Sequence, residues 1–355
     1  MKERIEKLRA LLREKEMDAA LITSGTNIRY FSGFTSADSV VLITEKRCVL
    51  FTDFRYLIQA KEQTAGRYEI TEINWSNYVS AIADMLRGEG CGRCAFEQEN
   101  MTVARFALFE KLPVQLMPLG DEVSMLRIIK TPQEVDCLQR AQNMADAAFS
   151  EFVTRIGAGM TEKQAAAELN YVCARLGSEE PAFDPIVGSG PNGAMCHAVP
   201  SDRKLQKGDL VVVDFGCTCE GYRSDMTRTF GIGSLDDESR KIYDIVLEAQ
   251  LRALAALKGG IGGKQLDAVA RDYIASKGYG ECFGHSLGHG FGLEIHESPR
   301  ASATSTDTLL PGMTITVEPG IYVEGLGGVR IEDCCVVTED GKIDLVSTAK
   351  DLLII

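Results

Sequence analysis

The feature that most constrains this 355-residue chain is an internal repeat at an offset of about 100 residues. Residues 159–164 open a helical stretch that ends at Gly177, and residues 260–265 open another that ends at Gly278. Phe183, Gly188 and Gly190 recur at the same spacing as Phe283, Gly288 and Gly290. His197 and Pro200 return as His296 and Pro299, and the run 208–216 lines up with 312–320. Each half therefore reads as helix, helix, loop or hairpin, then a strand that ends in an acid. Two copies are too few for a solenoid. The expectation is a duplicated, pseudo-symmetric α+β domain whose paired acids meet where the halves join.

Those acids carry the chemistry. Leu210, Val211, Val212 and Val213 are all apolar and run directly into Asp214. A desolvated lone carboxylate is costly, so a strand of this kind rarely ends in one without a partner. Asp225 follows on what reads as the returning strand of a hairpin turned at Glu220 and Gly221. In the second half Glu318 ends an equivalent strand, and Glu332 follows beyond a turn supplied by Gly325, Gly327 and Gly328. Four converging acids repel, and most would have to stay protonated. Two divalent cations balance four carboxylates. The imidazole that fits beside them is His289, whose neighbours Gly288 and Gly290 allow close backbone approach. An oxygen-rich set with one imidazole favours Mn²⁺, with Co²⁺ or Zn²⁺ behind it. Independent surface caps could explain one acid, but not four at repeat-related strand ends.

The chain has four histidines: His197, His285, His289 and His296. A single histidine is more often structural than catalytic. Here His197 and His296 occupy the same slot in the two halves and flank the expected ions, which marks them as functional. Two motifs are decoys. Residues 188–193 match GxGxxG but contain Pro191, so no long helix opens there and no dinucleotide fingerprint results. Residues 284–288 match GxSxG, but no buried strand precedes Ser286 as a nucleophile elbow requires.

The first 125 residues form a different region. Ile5, Leu8, Leu11 and Leu12 give a helical stripe, while residues 19–22, 40–43 and 48–51 read as buried strands. Thr131 and Pro132 then suit the start of a long helix reaching about Ile156. The expected division is an α/β domain at 1–125 and the duplicated domain at 126–355. The net charge of −13 comes without a Lys/Arg cluster, which argues against nucleic acid as a partner. No run approaches the ~18 apolar residues of a membrane span, and the charged start does not read as a signal peptide. Eleven cysteines without a framework suit a reducing cytoplasm. Cys91 and Cys94 form a CxxC with no second pair to complete a zinc site.

Taken together, residues 213–216, 224–228, 285–290, 318–322 and 328–333 resemble the pita-bread metallopeptidases: aminopeptidase P, prolidase and, more distantly, methionine aminopeptidase. All five ligand types occur in the family's order. Creatinase shares that fold but lacks the metal set. Residues 27–34 and 51–56 resemble the creatinase-like N-terminal domain of the proline-specific branch. The resemblance implies a dinuclear-metal peptidase that cuts the Xaa-Pro bond at the N-terminus of peptides, with metal-bound hydroxide as nucleophile. Asp225 would hold one ion and His289 the other end of the pair, with Asp214, Glu318 and Glu332 bridging or shared. Glu318 would shuttle the proton, His296 would donate to the carbonyl oxygen, and His197 would steady the leaving nitrogen. Arg330 would hold Glu332 or substrate, and His285, Arg300 and Tyr322 would contact the substrate.

Within that branch the reading leans to an aminopeptidase acting on longer peptides. The alternative is an Xaa-Pro dipeptidase, for which Arg300 would bind the substrate's terminal carboxylate. A non-catalytic peptide-binding module is a distant third, since such modules lose ligands that this chain keeps. Relatives commonly pair, so a homodimer is expected.

Overall fold

The computed structural model describes residues 1–74 and 76–355, and the chain divides into two compact units, Met1–Arg127 and Ile128–Ile355. In the first unit the apolar runs seen in the sequence become the centre of a six-stranded sheet. Its order is Glu69–Glu72, Cys48–Thr52, Ser39–Thr44, Ala19–Ile22, Arg93–Glu97, Gln115–Leu119. The three central strands that come first in sequence pair antiparallel, and parallel strands flank them on both sides. The opening helix, Lys2–Glu14, buries Ile5, Leu8 and Leu12 as its stripe requires. Cys94 is buried in this core and remains a free thiol, as does Cys91.

The second unit carries the duplication into three dimensions. A long helix, Pro132–Phe152, precedes a shorter one, Glu162–Arg175; the second half repeats this as Asp237–Ala256 and Gly263–Ser276. Thr131 and Glu134 close a reciprocal capping box around Pro132, which satisfies two of the helix's orphan N–H groups. The helix stops at Phe152 rather than near Ile156, because the next residues turn towards Gly159, whose φ is 94°.

Each half also contributes an antiparallel three-stranded sheet. One is Ile186–Ser189, Leu210–Phe215, Met226–Gly231; the other is Thr314–Val317, Asp333–Val337, Lys342–Asp344. Met226 pairs with Phe215 and Asp333 pairs with Val317. Asp225 and Glu332 therefore each stand one residue before a returning strand, near the acid-bearing end of its partner. A hairpin connects the two strands in each half. One turns at Glu220 and Gly221, with φ of 49° and 76°, the left-handed pair that a two-residue hairpin loop needs. Backbone and hydroxyl bonds stitch the halves along a seam: Glu332 N–H donates to the Thr227 carbonyl at 3.1 Å, and Thr229 Oγ1 donates to the Arg330 carbonyl at 2.9 Å. No helix among the described residues is long and apolar enough to cross a membrane.

The capping box offers a simple check on the helix start. Thr131→Ala should cost about 1 kcal/mol, lowering the thermal midpoint by about 3 °C. An unchanged midpoint in a calorimetric scan would show that Thr131 does not secure that helix.

Candidate metal centre

Sheet geometry brings the sequence-predicted ligands together at the seam. Leu210–Phe215 is buried throughout, so Asp214 arrives with 9% of its surface exposed, while Asp225 and Glu332 retain 4% and 1%. His289 sits on the short strand Gly288–Gly290, where the glycines are required: a Cβ at Gly288 would collide with the Thr316 carbonyl, and one at Gly290 with the Ser298 carbonyl. The Thr316 hydroxyl accepts the His289 N–H at 3.1 Å and donates to Glu318 Oε1 at 3.2 Å.

The imidazole reveals what the cluster lacks. His289 Nδ1 lies 3.0 Å from the Gly290 carbonyl oxygen, which can only accept, so the ring proton belongs on Nδ1. Burial, and then the neighbouring His296, pull the His289 pKa down to about 4, so the ring is neutral. Its Nε2 lone pair then faces Asp225 Oδ2 at 3.7 Å and Glu318 Oε1 at 3.4 Å. Donor atoms of Asp225, His289 and Glu332 all lie within 4.8 Å of one another. Lone pairs facing lone pairs in a buried site need protons or a cation between them. Without a cation, protons must serve. Burial and the nearby acids push Asp225 and Glu332 well above the ordinary carboxyl range, and burial pushes Glu318 up to about 8.

Asp214 occupies the other side. Its Oδ2 accepts from Arg330 Nη2 at 2.6 Å, but its buried Oδ1 has no hydrogen-bond partner among the described residues. The chemistry of this donor set, four carboxylates, one neutral imidazole and an orphaned oxygen, fits divalent cations. One expectation from the sequence is overturned. Asp225 and His289 do not lie at opposite ends of the site; they face each other, because both flank the same seam.

These five side chains line a cavity of about 350 Å³ together with His197, His285, His296, Arg300 and Arg330. Phe183, Ile186 and Ile295 supply its apolar wall. The His289 and His296 rings lie 4.3 Å apart, edge to face. Tyr322 does not line the cavity. Its hydroxyl accepts from Arg330 Nη1 at 2.7 Å and lies 2.9 Å from His285 Nε2, while His285 Nδ1 lies 2.8 Å from the Ser286 carbonyl. With Nδ1–H committed to that carbonyl, His285 Nε2 accepts from Tyr322. Both ring nitrogens are thus occupied within the protein, and the His285 pKa falls to about 4 through burial and the Arg330 charge. His285 and Tyr322 brace Arg330, which in turn holds Asp214, instead of offering free polar groups to a substrate.

Sequence reasoning missed Thr227 and Thr316. Thr227 Oγ1 donates to Glu332 Oε2 at 2.7 Å and accepts from Arg330 Nε at 3.0 Å. Its only sequence signal is a hydroxyl at alternate positions, Thr227 and Thr229, of a fully buried strand.

Residues 136–339 match the pattern described as metallopeptidase family M24, and residues 4–129 match the creatinase/prolidase N-terminal domain. The chain belongs to metallopeptidase family M24. It is 42% identical to a solved Xaa-Pro dipeptidase from Bacillus anthracis, covering 99% of both chains with a TM-score of 0.96. It is 39% identical to a solved X-Pro aminopeptidase from Thermotoga maritima, covering 99% of this chain and 100% of that one, with a TM-score of 0.93. It is also 38% identical to an Xaa-Pro dipeptidase from Pyrococcus furiosus, over 99% of this chain and 100% of the other. The fold is that of the family: a creatinase N-terminal domain and a pita-bread metallopeptidase domain.

The titrations give this M24 site a measurable signature. Carboxyls with raised pKa keep protons in the folded state that the unfolded chain releases near pH 4.5, so their stabilising contribution falls as pH rises towards about 8. His289 and His285 act oppositely, but their contribution is complete above the ordinary histidine value of 6.5. Between pH 6.5 and 8 only the carboxyl effect remains. The thermal midpoint of metal-stripped protein should therefore fall across that window, and Mn²⁺ should remove the fall. A flat profile without metal would show that the acids are not crowded.

Proposed function

We propose that this chain is an Xaa-Pro dipeptidase whose cavity takes two divalent ions, Mn²⁺ before Co²⁺ or Zn²⁺. This departs from the aminopeptidase lean of the sequence reading. The observation that carries it is the position of Arg300. In the antiparallel ladder Arg300 pairs directly with His289, and it lines the same cavity as His296 and the carboxylates. Its side chain is exposed, and among the described residues no carboxylate forms an ion pair with its guanidinium. A cation on the wall of that cavity suits the terminal carboxylate of a dipeptide, which it can bind with charge-assisted hydrogen bonds. The similarity to two proteins named as Xaa-Pro dipeptidases supports the same choice.

Asp214, Asp225, His289, Glu318 and Glu332 would hold the ions, with donor atoms of Asp225, His289 and Glu332 within 4.8 Å of one another. When bound, the ions supply Lewis-acid polarisation of the scissile carbonyl and activation of water. Glu318, which lines the cavity beside His289, would take a proton from the attacking water and deliver it to the leaving imide nitrogen. His296 donates to the carbonyl oxygen as charge develops there, and His197 faces the leaving group. Arg330 fixes Asp214 and, through Thr227, Glu332.

Free thiols at all eleven cysteines support a cytoplasmic setting. The exposed Phe54 and Ile58, at 79% and 77%, support a homodimer, which light scattering would reveal.

Turnover of Xaa-Pro dipeptides should exceed that of Xaa-Pro-Yaa tripeptides, and Arg300→Ala should lower kcat/KM on dipeptides by about 10–100-fold through a higher KM. Equal rates on both lengths, with Arg300→Ala neutral, would return the assignment to an aminopeptidase. His296→Ala should lower kcat by about 10²–10³-fold with metal content unchanged. Undiminished turnover in that variant would remove His296 from the mechanism.

A further inference from the structure

Behind the carboxylate cluster lies a second buried charge system that the proposed reaction does not use. Arg228 and Asp333 are 1% and 0% exposed, and they pair at 2.9 Å through Arg228 Nη2. Every N–H of the Arg228 guanidinium is engaged. Nη1 donates to the Thr227 carbonyl at 2.9 Å and to the Glu332 carbonyl at 2.6 Å. Nη2 also donates to the Thr348 carbonyl at 2.7 Å, and Nε donates to the Ala349 carbonyl at 3.1 Å. One nitrogen therefore joins the strand that follows Asp225 to the backbone of Glu332, one contact in each half of the duplication. The other two hold the C-terminal segment.

That segment is secured independently. Asp146 accepts from the backbone N–H and the hydroxyl of Ser347, at 2.9 and 2.7 Å, and from those of Thr348, at 3.3 and 2.7 Å. Lys350 forms an ion pair with Asp333, which also accepts from Gln250 Nε2 at 2.7 Å. Asp146 belongs to the long helix of the first half and Gln250 to that of the second. Residues 347–350 thus form a strap between the two long helices, and Arg228 ties the strap to the seam.

We infer that Arg228, with Asp333 and Lys350, is a positioning device for the metal-binding carboxylates, and that the C-terminal strap is part of it. The inference rests on the metal reading given under Proposed function. The separation of Asp225 and Glu332 decides whether both can reach the same ions. Their backbones are held by the Thr227 and Glu332 carbonyl contacts of one guanidinium, and by Cys334 Sγ, which donates to the Asp225 carbonyl at 3.0 Å. A buried ion pair adds little net stability over apolar replacements of the same shape, but it fixes geometry. Groups that orient ligands in this way typically govern metal affinity by 10–100-fold.

The test uses full-length protein and Mn²⁺ itself. Mn²⁺ affinity would be measured by isothermal titration calorimetry, and Mn–Mn coupling by electron paramagnetic resonance. The thermal midpoint in chelator would report folding separately. Lys350→Met and Asp146→Asn, neither of which lines the cavity, should weaken Mn²⁺ binding by about tenfold and diminish the coupled signal, with Lys350→Arg restoring both. If these variants bind Mn²⁺ like the parent while only their chelated midpoints fall, the strap is merely structural and the inference is overturned. If the parent itself binds no Mn²⁺, the metal reading fails and takes this inference with it.

Discussion

Everything in the second unit is arranged around mutual repulsion among buried acids. Asp214, Asp225, Glu318 and Glu332 could each be solvated separately at little cost, yet the fold gathers them beside an imidazole whose lone pair adds a further negative pole. A protein pays for such an arrangement only when something positive neutralises it. Arg330 contacts Asp214 and the Thr227 hydroxyl contacts Glu332, but among the described residues no Lys or Arg forms an ion pair with Asp225, Glu318 or Glu332.

Duplication is what makes the gathering feasible. A hairpin whose strand ends in an acid can place two carboxylates at one end of a sheet. Two such hairpins related by pseudo-symmetry bring four to one seam without any long excursion of the chain. The cost appears as demanding backbone approaches. Gly288 and Gly290 permit the His289 strand to pass against Thr316 and Ser298 with no room for a Cβ. The cavity combines carboxylates and histidines with the apolar side chains of Phe183, Ile186 and Ile295.

Much of this was legible before any coordinates. The repeat, the apolar runs ending in acids, the Glu220–Gly221 turn and the Thr131–Pro132 helix start are local signals with periods or spacings that a sequence displays directly. Contacts across the seam were not legible. Thr227 meets Glu332 and Arg228 meets Asp333 over 105 residues of chain, and nothing in either neighbourhood marks them as partners. The division of ligands failed for the same reason: the order of Asp225 and His289 along the chain says nothing about which acid faces which imidazole. His285 and Tyr322 were expected to contact substrate, and only hydrogen-bond geometry shows their polar atoms turned to one another and, through Tyr322, to Arg330. Arg300 was ambiguous as a surface arginine until its register opposite His289 put it at the cavity.

The most direct test is anomalous scattering from crystals grown with Mn²⁺. The account requires two peaks within ligand distance of the set Asp214, Asp225, His289, Glu318 and Glu332. No anomalous density between these side chains, with the acids protonated and hydrogen-bonded to one another, would contradict it.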